Sequence, residues 1–305
     1  MGYARTVLLS VDFEDWQQLV RRRLGDADWD RPNPAFPRQV AALLDLLDDV
    51  GATATFFLLG MTAKNYPALV GELVARGHEP ACHGYAHTLA FRQTPAEFRS
   101  DVEASAGLIE AMTGRRPAGY RAPVFSLNRD TVWAYRILAE LGFRWDSSQY
   151  DNPRVPHRLR SIPASPYVLT EPGGARLLEI PLTVSSLLHA PLPLGGGGYW
   201  RVLPRRVVSR ALRARTEDSA ALYFHPCEFD PQPLRVALSP GSTAGQRIRG
   251  AYRHVRANPG RRHLQGSLRY VAREFTLVSY EHGLEAVMSR CGKRTRALSQ
   301  EGVLI

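Results

Sequence analysis

The stretch Val7–Asp15 reads VLLSVDFED, a mostly apolar run that ends in three carboxylates within four positions. A short apolar run of this kind predicts a buried strand over residues 7–11. Strand periodicity places Asp12 and Glu14 on one side, whereas Asp15 lies just beyond the end of the strand. Crowded carboxylates repel one another unless a cation compensates their charge. The stretch therefore predicts a site at the end of a first strand, with the acids divided between a metal ligand and a general base.

The same alternation of a short apolar run and a longer amphipathic run continues along the chain. Strands are predicted over residues 53–59, 79–82, 119–121, 143–146, 177–182 and 219–224, helices over 37–50, 66–76, 94–112, 130–141 and 204–214, and a helix–strand–helix unit over 268–290. Repeated βα units imply parallel strands joined by right-handed crossovers. About seven such units predict an α/β fold with a closed or nearly closed barrel, whose site lies at the C-terminal ends of the strands.

Two histidines directly follow the predicted strand over residues 79–82, in the segment His83-Gly84-Tyr85-Ala86-His87. Their i, i+4 spacing would place both imidazoles on one face of a helical turn, within reach of one metal ion. Two nitrogen ligands, one carboxylate and an open position form the usual catalytic zinc site. Cobalt, nickel, manganese and iron accept the same ligand types, so zinc is the expected ion among several.

Three further strand ends carry polar side chains that suit a hydrolytic site. Arg121 can orient a carboxylate base through a bidentate contact, and Asp146 can hold Arg121 or a substrate hydroxyl. His225 follows an apolar strand and fits a general acid that protonates a leaving amine. The loop over residues 191–200 ends in two aromatics and is predicted either to cover the site or to serve as a surface connection. The candidate substrate-binding residues are Tyr120, Pro123, Asp146 and Trp200.

The net charge of +10 comes almost entirely from arginine, because the 39 basic residues include only Lys64 and Lys293 as lysines. Such an excess indicates either an anionic partner, such as a phosphate-linked lipid or an acidic polysaccharide, or a coding bias expressed on solvated surfaces. The chain lacks the motifs of nucleic-acid-binding folds, so we expect no nucleic-acid partner.

The chain length of 305 residues and the apolar content of 44% are typical of a globular protein with one large core. No apolar run approaches the roughly 20 residues of a membrane-spanning helix, and the apolar run near the N-terminus is too short for a signal peptide. We therefore expect a cytoplasmic location. The three cysteines show no CxxC spacing and predict no disulfide framework.

Taken together and in this order, the motifs resemble those of the NodB-homology polysaccharide deacetylases, carbohydrate esterase family 4. Segments Val11–Trp16 and Phe224–Asp230 look most like the exosortase-associated, extracellular-polysaccharide branch. The resemblance implies one domain over residues 1–305: a core over about 6–230, a βα completion over 231–290 and a tail over 291–305. It also implies a distorted (β/α)7 barrel, a divalent metal held by an Asp-His-His triad, and hydrolysis of the acetamido group of an N-acetylated sugar.

The division of roles among the three acids depends on which family pattern applies. The common pattern Thr-Phe-Asp-Asp-Gly aligns Glu14 with the base and Asp15 with the metal ligand, whereas relatives with Asp-x-Asp align Asp12 with the base and Glu14 with the ligand. We assign Asp12 as the base and Asp15 as the ligand beside the two histidines, with Glu14 in reserve for either role. The chain also has Trp16 where the family usually has glycine.

Two other functions are compatible with the same barrel. The first is hydrolysis of a cyclic amide or ureide, as in allantoinase-like or imidase-like relatives. The second is sugar binding without catalysis, which the presence of a base, ligands and His225 together disfavours. Within the deacetylase interpretation, the sugar can belong to a polysaccharide, a lipid-linked precursor or a small glycoconjugate.

Overall fold

The computed structural model describes residues 5–150, 157–187, 190–215, 220–291, 294–299 and 302–305. Its strands are β1 Arg5–Phe13, β2 Thr55–Leu58, β3 Glu79–Cys82, β4 Gly119–Tyr120, β5 Trp145–Asp146, β6 Tyr167–Thr170, β7 Arg176–Glu179, β8 Ser185–Leu187, β9 Ala190–Leu192, β10 Ala221–Phe224, β11 Phe275–Val278 and β12 Thr295–Ala297. Its α-helices are α1 Trp16–Leu24, α2 Phe36–Asp49, α3 Gly60–Asn65, α4 Pro67–Ala75, α5 Pro95–Thr113, α6 Trp133–Glu140, α7 Gly197–Trp200, α8 Arg205–Arg213, α9 Ala244–Ala257, α10 Arg261–Ala272 and α11 Tyr280–Cys291.

One large mixed sheet organises the molecule, with the strand order β10-β1-β2-β3-β4-β5-β7-β6-β12. The first seven of these strands run parallel, and β6 then pairs antiparallel with β7. Strand β11 pairs with the N-terminal half of β1, beginning at Arg5 opposite Phe275. Within the described ranges no strand ladder joins β7 to β10, although the backbone N–H of Thr183 donates to the carbonyl of Ala221 at 3.1 Å. The sheet is therefore curved but not closed, and the predicted distorted (β/α)7 barrel is confirmed.

Strand β1 separates two apolar clusters, because both faces of a parallel sheet are covered. Val7, Leu9 and Val11 pack outwards into the large core between the sheet and the helices. Leu8 points to the opposite side, into a smaller cluster with Phe57, Ala81, Trp145, Ile180, Leu182, Ala221, Tyr280 and Val287 that fills the barrel. The two-residue period continues from Leu8 through Ser10 to Asp12, so Asp12 lies above the barrel core at the C-terminal end of the strand.

Several elements were not predicted from the sequence. Helix α1 begins directly after the acid cluster. Helix α9 has its apolar side chains on the outer face, away from the core. Strands β6 and β12 form the far edge of the sheet, and β8 and β9 form a separate two-stranded hairpin. No helix among the described residues is long and apolar enough to cross a membrane.

Candidate active site

Among the described residues, two groups of side chains could hold a metal ion: Glu14 with His83 and His87, and Glu14 with Asp12 and His225. Glu14 Oε1 lies 2.7 Å from His83 Nε2 and 2.9 Å from His87 Nε2. Burial alone would raise the pKa of Glu14, but the charge of His87 and the hydrogen bonds from both imidazoles hold it well below its usual value. Two imidazole nitrogens and one carboxylate oxygen therefore converge on one point, the donor set that zinc prefers.

The orientation of His83 is set by its second ring nitrogen. His83 Nδ1 lies 2.8 Å from the backbone carbonyl of Arg121, and since a carbonyl only accepts, Nδ1 carries the proton. Nε2 is then the nitrogen that faces Glu14. A second hydrogen bond of this kind is the usual support of a metal-binding histidine.

The segment from His83 to His87 is a loop, and the predicted helical turn is wrong. Gly84 and His87 both adopt left-handed conformations, with φ of 71° and 54°. Helix α5 holds the loop, because Asp101 accepts hydrogen bonds from the backbone N–H groups of Tyr85 at 2.8 Å and Ala86 at 3.1 Å. The two imidazoles meet through this turn rather than through helical spacing.

Asp15 does not contact the two histidines, so its predicted place beside them is corrected: the acid that contacts both is Glu14. Its carboxylate caps helix α1, accepting hydrogen bonds from the backbone N–H groups of Gln17 at 3.0 Å and Gln18 at 3.3 Å. It also accepts from the backbone and side-chain nitrogens of Asn33, both at 3.1 Å, and from the Tyr66 hydroxyl at 3.2 Å. These five contacts use both carboxylate oxygens within the protein, away from the cleft.

Asp12 is held at the cleft floor by a buried arginine. Arg121 Nη1 donates to Asp12 Oδ1 at 2.7 Å and to the Ser10 hydroxyl at 2.9 Å. Arg121 Nε donates to the carbonyl of Ser147 at 3.0 Å, and the guanidinium lies 3.9 Å from the centre of the Phe57 ring. The predicted contact between Arg121 and a carboxylate is therefore present. It uses only one oxygen, and Asp12 Oδ2 faces the cleft.

His225 lies on the opposite side of the same cleft. Its Nε2 is 3.7 Å from Glu14 Oε2 and 4.0 Å from Asp12 Oδ2, and its Nδ1 is 3.5 Å from Glu228 Oε2. Burial would lower the pKa of His225, but the hydrogen bond to Glu228 and the charges of Glu14, Glu228 and Asp12 outweigh burial and raise it to about 9. Sequence reasoning missed Glu228, although its position three residues after His225 was a usable signal.

A cleft of about 480 Å³ contains Asp12, Glu14, His87 and His225. Its other side chains were not predicted as site residues, because they come from elements that meet only in the folded chain. Aromatic and basic side chains in this lining are Trp16, Arg23, Phe125, Tyr150, Arg201, Tyr223 and Arg253. The position of Trp16, next to the acid cluster, was a local signal for this lining, as was that of Glu228.

The four predicted substrate-binding residues do not line this cleft, and their assignment is corrected. Tyr120 is buried between Phe98 and Phe143. Trp200 is fully buried, with its indole N–H donating to the carbonyl of Leu194 at 2.9 Å. Pro123 is also buried, and its exposed neighbour Val124 lines the cleft instead.

Asp146 is also buried, and its partners are not the expected ones. It accepts hydrogen bonds from the backbone N–H of Ser148 at 3.1 Å and from the Ser148 hydroxyl at 2.7 Å. It lies in register with Glu179 on the neighbouring strand. Burial raises the pKa of Asp146, and burial together with the charge of Asp146 raises the pKa of Glu179 well above its usual value. Asp146 therefore lies beside Glu179 in the barrel wall and not in the lining of the cleft.

Comparison with known proteins matches two adjacent segments to sequence families. Residues 28–144 match the polysaccharide deacetylase family, and residues 147–277 match a domain of unknown function, DUF3473. The sheet runs through both segments, because β5, which lies between them, pairs with β4 of the first segment and with β7 of the second.

Two curated relatives are chitooligosaccharide deacetylases. The protein from Sinorhizobium fredii is 45% identical over 159 residues, which cover 49% of this chain and 68% of the relative. The protein from Bradyrhizobium sp. is 32% identical over 172 residues, which cover 52% of this chain and 75% of the relative. In the first curated relatives the match is shorter and spans only 32% and 40% of their length.

A solved structure supports the fold. The crystal structure of a candidate polysaccharide deacetylase from Mycobacterium smegmatis superposes with a TM-score of 0.59 at 22% identity, covering 97% of this chain and 95% of that chain. The predicted resemblance is thus confirmed at the level of the family. This chain belongs to the NodB-homology polysaccharide deacetylases, carbohydrate esterase family 4.

Proposed function

We propose that this protein is a metal-dependent hydrolase that removes the N-acetyl group from an N-acetylated amino sugar. The observation that carries the proposal is the arrangement of Glu14, His83, His87, Asp12 and His225 around one cleft. The two rhizobial relatives named as chitooligosaccharide deacetylases support the choice of an acetylated sugar as substrate. Segments Val11–Trp16 and Phe224–Asp230 keep the exosortase-associated branch as our proposal for the subfamily.

Glu14, His83 and His87 would hold one divalent metal ion, most simply Zn²⁺. Their donor atoms lie within 4.8 Å of one another, and His83 is already oriented by the carbonyl of Arg121. When bound, such an ion polarises an amide carbonyl and makes water more acidic. A donor set of two imidazole nitrogens and one carboxylate oxygen fits this ion type.

Asp12 is the proposed general base. Arg121 anchors Oδ1 from the buried side, so Oδ2 is the oxygen that can accept a proton in the cleft. As water adds its oxygen to the acetyl carbon, it gives one proton to Asp12. The hydrogen bonds from Arg121 to Asp12 and to the Ser10 hydroxyl keep the carboxylate in place without occupying Oδ2.

His225 is the proposed general acid. Glu228 faces Nδ1, so Nε2 is the nitrogen that points into the cleft. When the bond between the acetyl carbon and the amide nitrogen breaks, His225 donates a proton to that nitrogen. The products are acetate and a free amino sugar. Trp16, Phe125 and Tyr223 line the same cleft and offer the aromatic faces on which sugar rings pack.

The test combines metal analysis with acetate release. Purified protein would be stripped with a chelator, reloaded with Zn²⁺, and assayed for acetate release from N-acetylglucosamine oligomers and, in parallel, for opening of cyclic imides. We expect about one metal ion per chain and acetate release that depends on it. The His83→Ala/His87→Ala variant should lose both, whereas the matched variant His263→Ala/His282→Ala, outside the cleft, should keep both.

Two results would overturn the proposal. Stoichiometric metal with imide opening and no acetate release would indicate a cyclic amide hydrolase on the same barrel. Absence of metal after reloading, with retained sugar binding, would indicate a barrel that binds sugar without catalysis.

A further inference from the structure

We propose that the outer face of helix α9 docks onto a membrane surface rich in anionic lipids. Ile248, Tyr252 and Val255 follow the i, i+4, i+7 spacing and are 71%, 56% and 65% exposed. Gly250 is the buried residue of this helix and lies on the opposite side, against Leu238. The helix therefore directs its apolar stripe away from the protein, the reverse of an ordinary surface helix.

Three arginines of α9 flank this apolar stripe, and a fourth, Arg253, lines the active-site cleft. Helix α9 carries Arg247, Arg249, Arg253 and Arg256 and contains no acidic residue. Among the residues that the structure describes, these four arginines form no ion pair with an acid. Arg256 instead stacks on Tyr252, with its guanidinium carbon 5.6 Å from the ring centre. An exposed apolar stripe bordered by arginines is the pattern of a helix that lies in the plane of a membrane interface.

A basic groove lies beside the C-terminal end of this helix. Arg201 Nη1 donates to the carbonyl of Ala257 at the end of α9, at a distance of 2.9 Å. The groove beyond Arg201 has a volume of about 590 Å³ and contains Val202, which is 75% exposed. Its basic side chains are Arg205, Arg206, Arg262 and His263. The apolar stripe and the groove together present aliphatic and cationic groups on adjoining surfaces, as an anionic bilayer requires.

The same helix reaches the active-site cleft. Arg253 and Ala257 line the cleft together with Asp12 and His225. Docking through α9 would therefore hold the cleft one helix width, roughly 10 Å, from the membrane surface. This step rests on the proposed function, and it implies that the acetylated sugar is presented from a lipid anchor with an anionic linkage.

A lipid surface explains the face better than a soluble polyanion does. A polyanion would pair with the arginines but would leave Ile248 and Val255 in water. An anionic bilayer accepts both groups, because the aliphatic side chains enter the acyl boundary and tyrosine favours the interface.

Co-sedimentation with lipid vesicles tests the docking face, using the full chain. The vesicles would contain phosphatidylcholine alone or phosphatidylcholine with an equal amount of phosphatidylglycerol. We expect binding to the anionic vesicles only, and weaker binding as salt is raised. Arg249→Gln/Arg256→Gln should weaken binding about 30-fold at low salt, since each basic residue near the surface contributes about fivefold. Ile248→Ser/Tyr252→Ser/Val255→Ser should weaken it by at least about tenfold.

The matched control is Ile305→Ser/Arg296→Gln, which removes an exposed aliphatic side chain and an arginine near the far edge of the sheet. This control should bind as wild type does, and all variants should release acetate from soluble oligosaccharides normally. Absence of binding to anionic vesicles would overturn the docking proposal. So would binding that the serine variant leaves unchanged, or equal competition by a soluble polyanion. Vesicle binding without any acetate release would instead count against the proposed function alone.

Discussion

At the scale of single residues, Glu14 and Asp15 make different contacts, because only Glu14 continues the direction of strand β1. Glu14 follows Asp12 on the inward side of β1 and meets the two histidines. Asp15 lies one residue further, where the chain turns into α1, and its oxygens accept the N–H groups that the first helical turn leaves free. The carboxylate that caps a buried helix cannot also face the cleft.

Replacing each acid separately should show that metal binding depends on Glu14 and that stability depends on Asp15. Glu14→Gln is expected to abolish stoichiometric metal binding, because it removes the anionic ligand between the histidines, while the fold is retained. Asp15→Ala is expected to keep the metal and to lower the free energy of unfolding by about 2–4 kcal/mol, from a lost N-cap and buried donors left without partners. Elemental analysis and urea unfolding of both variants provide the measurement, and the reverse pattern would restore Asp15 as the ligand.

The proposed acid can be tested apart from the metal. His225→Ala is expected to lower kcat by about 10²–10⁴-fold, the usual contribution of a positioned general acid. The metal content should stay at the wild-type level if the ion is held by Glu14, His83 and His87, because His225 belongs to a second group, with Asp12 and Glu14, in which its Nε2 lies 3.7 Å from Glu14 Oε2. The control is His254→Ala, which replaces a histidine that contacts the backbone carbonyl of Leu234. Loss of metal in the His225 variant would show that it acts as a ligand instead.

At the scale of elements, the loop from His83 to His87 depends on helix α5, which contributes no side chain to the group of Glu14, His83 and His87. Gly84 adopts a φ of 71°, and an added Cβ would lie 2.7 Å from an Asp101 oxygen. That carboxylate accepts the two backbone N–H groups inside the loop. The packing of α5 against β3 thereby fixes the separation of His83 and His87.

Removing this support should loosen the ligands without unfolding the barrel. Asp101→Ala is expected to weaken metal affinity about 10–100-fold, the usual effect of losing a group that orients metal ligands. Competition with a graded series of chelators provides the measurement. Glu103→Ala, an exposed acid on the same helix, should leave the affinity unchanged. Equal affinities in all three proteins would show that the loop holds its shape without α5.

At the scale of the whole molecule, the wall of the barrel contains the carboxyl pair Asp146 and Glu179, which are adjacent across β5 and β7. Burial and the neighbouring charge of Asp146 raise the pKa of Glu179 well above its usual value of 4.5. The folded protein therefore holds a proton that the unfolded chain releases once the pH passes that usual value. Where the folded state binds more protons, stability falls as the pH rises.

The free energy of unfolding should therefore decrease above about pH 5 by up to about 1.4 kcal/mol per pH unit for one retained proton. Glu179→Gln, which keeps the shape but carries no titratable proton, should flatten this decrease between about pH 5 and about pH 8. Urea unfolding at the two pH values measures the slope. The control is Glu97→Gln, which replaces an exposed acid at the start of α5 and should keep the wild-type slope. Identical slopes in wild type and the Glu179 variant would show that the carboxyl pair does not cause the pH dependence.

Much of the architecture was predictable from the chain, because periodicity and turn residues are local signals. The runs at residues 7–11 and 79–82 and the capped start at Thr94 predicted β1, β3 and α5 within a few residues. Polar residues at the ends of these strands also predicted where the site would lie, since parallel strands end at one edge of the sheet.

The sequence by itself therefore determined the barrel, its family and the edge at which Asp12, Glu14, His83 and His225 gather. Only the tertiary structure decided which acid faces the histidines, because Asp15 accepts hydrogen bonds from α1, Asn33 and Tyr66 instead. It also decided that Trp200 is buried and that the apolar side of α9 faces outwards. These outcomes depend on how distant elements pack and compete for the same polar groups, and no local pattern in the chain encodes that competition.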